Sequence, residues 1–114
     1  MSALPQTPAA LLEELFAVFP QYRSGYDKYG PLSDSPPTFH SILIEFSVFF
    51  GGELASFTEA QLRRFGALVS EAVEGGGKLE NAFGTCLLEH LHQIGAREKF
   101  IPFLSEAARE QTYV

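Results

Sequence analysis

Cys86 and His90 stand four residues apart, a spacing that puts two side chains on one face of a helix. A thiol beside an imidazole has the chemistry of a nucleophile with its base, or of half a metal site. No third group that would orient the imidazole is recognisable, and cysteine serves equally well as a small apolar core filler. In Glu89-His90-Leu91-His92 the histidines lie two apart, about 200° around a helix, and cannot close on one ion. Gly75-Gly76-Gly77-Lys78 resembles a phosphate loop only superficially: Leu79 stands where Ser or Thr is needed, and no strand precedes the glycines. The adjacent pair Arg63-Arg64 has Glu59 four residues before Arg63, the pattern of a solvated ion pair on a helix. Fourteen carboxylates are present, but no spacing singles out an acid and a base. The expectation is a protein that is not an enzyme, with no catalytic residue, no metal ligand and no cofactor.

Charge and tyrosines are more informative. Residues 1–60 hold seven acidic and two basic side chains, whereas residues 61–114 hold seven and six. In the acidic part, Tyr22, Tyr26 and Tyr29 recur at i, i+4 and i+7, interleaved with Arg23, Asp27 and Lys28 and followed by a loop containing Asp34. Tyrosine suits interface cores because its ring packs while its hydroxyl bonds. Two readings stand side by side: the rings pack inward with hydroxyls at the rim, or residues 22–40 form a binding edge. On the second reading the partner-binding residues are Tyr22, Tyr26, Asp27, Tyr29, Asp34, His40, Glu45 and Glu53. His40, a lone histidine, also suits a surface or capping role. An acidic edge would steer a basic partner and speed its association.

The elements that must position these residues read as helices. With 114 residues and 46% hydrophobic content, the chain suits one domain with its own core, residues 1–7 being a flexible N-terminus. Leu11, Leu12, Leu15, Phe16 and Phe19 form a helix stripe over 8–19, with Thr7 as N-cap and Pro8 at the first helical position. Pro20 ends or kinks it, and a further helical piece over 21–29 stops at Gly30-Pro31. Residues 38–50 fit a helix stripe and a strand alternation alike; their length and the lack of a pairing strand favour helix. Thr58-Glu59-Ala60-Gln61 is a capping box opening a helix that the Gly75–Gly77 run stops. One helix is expected from about Leu79 to Gly95, burying Phe83, Leu87, Leu88, Leu91 and Ile94. A last one spans roughly 98–111, with Pro102 in its first turn or at a kink. The fold class is all-α: a compact bundle of five or six short helices.

The formal charge of −6 argues against nucleic acid, and no apolar run approaches the roughly 20 residues of a membrane span. The start lacks a basic n-region and a long apolar run, and a single Cys suits a reducing compartment, so a cytoplasmic location is expected.

Leu15-Phe16 with Phe19-Pro20, the Tyr22…Tyr26…Tyr29-Gly30 stretch and Asn81-Ala82-Phe83…Leu87-Leu88-Glu89-His90-Leu91 give the chain a resemblance over about residues 11–104. It resembles small all-helical bacterial proteins, some similar to immunity proteins of polymorphic toxin systems. The Pro31–Pro37 loop and the Gly75–Gly77 run depart from that pattern. The resemblance implies no catalytic residues and a cytoplasmic inhibitor that occludes a cognate toxin domain, its partner being a basic protein. The alternative is an adaptor or structural subunit, a homodimer through the Phe39–Phe50 helix, which is apolar around its circumference.

Overall fold

Five phenylalanines from four parts of the chain meet at one point. Phe19, Phe46, Phe50, Phe65 and Phe100 are all fully buried, and their ring centroids lie 5.1–6.2 Å apart in tilted, edge-on and stacked pairs. In this computed structural model, which describes residues 4–29 and 37–112 (only the backbone at 25 and 27–29), the elements around them are helical. They are α1 (Pro8–Val18), α2 (Pro20–Tyr29), α3 (Phe39–Gly52), α4 (Glu59–Gly75), α5 (Gly77–Cys86), α6 (Arg97–Phe100) and α7 (Glu106–Glu110), with 3-10 turns at Leu54–Ser56, Leu88–His90 and Ile101–Phe103. No strand occurs among the described residues, and the bundle is all-α, with a radius of gyration of 13.0 Å.

Local chemistry explains where the helices start. Thr7, Thr38, Thr58 and Ser105 each sit in extended backbone and accept from an N–H of the following first turn, satisfying donors the helix leaves open. Thr38 and Ser41 form a full capping box, as do Thr58 and Gln61. Residues 38–50 are thus settled as helix, which continues through Gly51 and ends at Gly52. Gln61 does more than cap. Its Oε1 accepts from the Thr58 N–H at 3.0 Å, while its Nε2 donates to the Val18 carbonyl and to Gln21 Oε1, both at 3.0 Å. One amide thereby locks the α1–α2 corner to the start of α4. The α1 helix stops one residue before the expected boundary: Phe19 leaves helical geometry as the C-cap, and α2 begins at Pro20 itself.

The two C-terminal helices expected from the sequence are both broken. Cys86, Leu87 and Leu88 are consecutive and all buried, whereas a straight helix sends such a run through 200°. The chain bends at Leu87, becomes a 3-10 turn, and returns Leu91 to the core before turning at Gly95, whose φ is +74°. Pro102 lacks an N–H and clashes with the preceding turn, so α6 tightens into a 3-10 turn and the chain restarts at Ser105. The glycine run is shared between the two helices it separates. Gly75 closes α4, Gly77 opens α5, and only Gly76, at φ +70° and ψ −171°, lies between them. That backbone region is essentially reserved for glycine. Within the terminus expected to be flexible, Leu4 packs on the core and Thr7 caps α1; residues 1–3 lie outside the described residues.

At Gly66 the backbone of α4 touches the 3-10 turn before α7, and an added Cβ would collide with the Phe103 carbonyl oxygen. Ser70 Oγ donates to the Gly66 carbonyl at 2.7 Å and accepts from the Ser105 N–H at 2.9 Å, fixing that approach. Gly66→Ala is therefore expected to destabilise by about 1–3 kcal/mol despite alanine's better helix propensity. At Gly52 a Cβ meets nothing within 4 Å, and Gly52→Ala is expected to stabilise by about 0.4–1 kcal/mol. Denaturant midpoints of the two variants should move in opposite directions.

Candidate functional site

The α3 helix has 14 residues and about 21 Å of rise, and its two ends serve different surroundings. Ile42, Leu43, Phe46, Ser47 and Phe50 face the core. On the outward side are Ile44 and Val48, 55% and 73% exposed, the exposed large hydrophobics among the described residues. They are four apart and share a face with Ser41 and Gly52, so the outer stripe of α3 carries no charge. Exposed apolar side chains gathered on one face, unlike scattered ones, point to a contact surface.

Along the α2 side of this stripe lie three of the residues singled out from the sequence. Tyr22 is buried, its ring 4.7 Å from Phe49, 5.1 Å from Phe46 and 5.7 Å from Phe16, so this ring belongs to the core. Tyr26 is half-buried at the rim, edge-on to Phe16 at 5.3 Å. Glu45 is half-buried on α3. Burial raises the Tyr22 hydroxyl far above the usual tyrosine range, and the charges of Glu45 and Tyr26 push it the same way. These three residues therefore share one edge.

Two of the other candidates, Glu53 and His40, lie away from this edge. Asp27 and Tyr29 belong to the backbone of α2, but their side chains, and all of Asp34, lie outside the described residues. Glu53 is exposed and caps the far end of α3, eight residues or about 12 Å along from Glu45. His40 is at the opposite end, where its Nε2 lies 3.3 Å from the Asn81 amide of α5. Much of the acidic charge is also tied locally. Glu13 pairs with Arg23 at 3.9 Å, Glu14 with Arg64 at 3.5 Å and Glu59 with Arg63 at 3.2 Å, the last as its spacing predicts. These pairs are solvated and each contributes at most about 1 kcal/mol, but they mask charge that the sequence tally counts as available.

Cys86 ends α5 in the core, whereas His90 follows the bend at Leu87 and is exposed, its Nδ1 2.8 Å from Gln93 Oε1. The shared helix face expected for the two is absent because the helix stops between them. Burial, aided by the charge of Glu89, raises the Cys86 thiol pKa and disfavours the reactive thiolate. No group of three or more potential metal ligands occurs among the described residues, and no helix among them is long and apolar enough to cross a membrane. Ile44 and Val48 were the residues sequence reasoning passed over. Their signal lay in a helix apolar on every side.

Comparison with protein-family models, curated proteins and solved structures returns no match.

The Tyr22 environment yields a pH prediction. The folded pKa lies above the ordinary 10.0, so the stabilising difference is present below pH 10 and lost as pH rises beyond it. Unfolding free energy should fall above about pH 10. The fall should be shallower in Tyr22→Phe, as urea titrations across that range will measure.

Proposed function

We propose that the chain is a non-enzymatic protein-binding module that docks its partner on the outward face of α3 and the adjoining edge of α2. The observation that carries this reading is the exposed Ile44 and Val48 pair on an uncharged helix stripe. Tyr26 and Glu45 border it, giving an apolar centre with an aromatic and acidic rim, the usual layout of an interface. Two exposed apolar side chains cover far less than the roughly 800 Å² per partner of a stable complex, so the partner must also engage the α2 side. The net charge of −6 makes a basic partner favourable.

The buried, protonated thiol of Cys86, away from His90, supports binding over catalysis. Joined to the resemblance to immunity proteins, this makes the chain a cytoplasmic inhibitor that covers the active site of a basic toxin domain. A second reading, a homodimer through α3, draws on the same exposed pair. Two chains that each carry a net charge of −6 oppose it.

The test is binding to the protein that this chain captures in a pull-down from its source cell, a basic toxin domain being the expected capture. Ile44→Glu combined with Val48→Glu should weaken binding at least tenfold, about 1.4 kcal/mol or more, with an unchanged melting temperature because both side chains already face water. Reversing Asp27, Asp34 and Glu45 to Lys should slow association and flatten its salt dependence. Unaltered binding in the first variant removes α3 as the docking face, and unaltered rates in the second remove the acidic edge. A dimer in sedimentation that Val48→Glu dissolves would establish the second reading instead.

A further inference from the structure

The starts of α1, α3 and α5 come together at the end of the bundle where His40 lies, and between them is an open cleft of about 520 Å³. Its apolar walls are Pro8, Pro37 and Phe39, and its polar side is Lys78, His40 and Asn81. Phe39 is half-buried and packed on the core, so its ring is a fixed wall. Lys78 is exposed, and the His40 imidazole is steadied by the Asn81 amide at 3.3 Å. An amide can turn over, so Asn81 can hold His40 either as an acceptor or as a donor at Nε2. No carboxylate is among the described residues that line it. Glu80 stands nearby behind Gly76, its Oε1 3.9 Å from where a Cβ at that glycine would sit and its Oε2 accepting from Gln111 at 3.4 Å.

From this arrangement we infer that the cleft binds a small organic anion, an apolar body bearing one carboxylate or phosphate. The body packs against Phe39 and the two prolines, and the anionic group meets Lys78 with His40 and Asn81 beside it. The volume lies within the range of small-ligand sites, which combine apolar walls with a few convergent polar groups. Lysine serves as a point charge for either anion, so carboxylate and phosphate are separated by experiment. This site is separate from the α3 stripe: it sits at the start of α3 beside the starts of α1 and α5, and His40 and Val48 lie eight residues apart along the helix, about 12 Å. Either site can fail without the other.

The probes are benzoate, phenyl phosphate, inorganic phosphate and benzyl alcohol, titrated into the full chain and followed by amide chemical shifts. Saturable shifts at His40, Lys78 and Asn81 are expected with benzoate or phenyl phosphate, at a Kd of about 1 mM or tighter. The better of the two identifies the anionic group. Inorganic phosphate and benzyl alcohol should each bind at least tenfold more weakly, lacking the body or the charge. Lys78→Glu should weaken the preferred probe at least tenfold. A carboxylate in the first turn of α5 suits the helix dipole, so misfolding does not explain such a loss. Asn81→Asp, also at an exposed position, should weaken it in the same direction. The inference is overturned if neither organic anion saturates, if inorganic phosphate or benzyl alcohol binds equally well, or if Lys78→Glu binds as the parent does.

Discussion

The structure depends on the meeting of Phe19, Phe46, Phe50, Phe65 and Phe100. Each is fully buried, and they arrive from the α1–α2 corner, α3, α4 and α6. Burying one phenylalanine contributes about 1.5–3 kcal/mol, and an aromatic pair in tilted or edge-on geometry adds about 0.5–1.5 kcal/mol. Against a typical net stability of 5–15 kcal/mol, losing any one of these rings removes a large share. The cluster also dictates geometry. Phe19 can reach it only if α1 stops there, and that places the α1–α2 corner over the start of α4, where Gln61 closes it.

This constraint accounts for the contrast between the two sides of α3. Its inner side is filled by Phe46 and Phe50, while α5 and α1 pack alongside, so Ile44 and Val48 have nothing left to cover them. A helix with apolar residues on every side can be buried on only part of its circumference in a bundle this small. The remainder is a surface that favours covering. Tyr22 illustrates the opposite outcome. It has the residue type of an interface, yet its neighbours Phe16, Phe46 and Phe49 enclose it, while Tyr26, one turn later, reaches the rim. The helix starts gathered at the other end are a by-product of the same packing, and they leave a cleft there with a different chemistry.

What the sequence determined by itself was local. Thr7 with Pro8, the Thr58–Gln61 capping box, the Glu59–Arg63 pair and the apolar stripes of α1 and α4 follow from rules acting over three or four residues, and the folded chain obeys each of them. The all-α class followed from these. What tertiary structure alone decided was every outcome that depends on which neighbour arrives. The core drew in Cys86, Leu87 and Leu88 together and broke the expected helix, which separated Cys86 from His90. Arg23 and Arg64 crossed between helices to meet Glu13 and Glu14, so acidic charge tallied along the chain stands beside basic groups on the surface. His40, five residues from Glu45 in sequence, turned towards Asn81, which is 41 residues away. Capping and helical periodicity are read within one turn of chain, whereas burial and pairing are settled by segments that sequence order keeps apart.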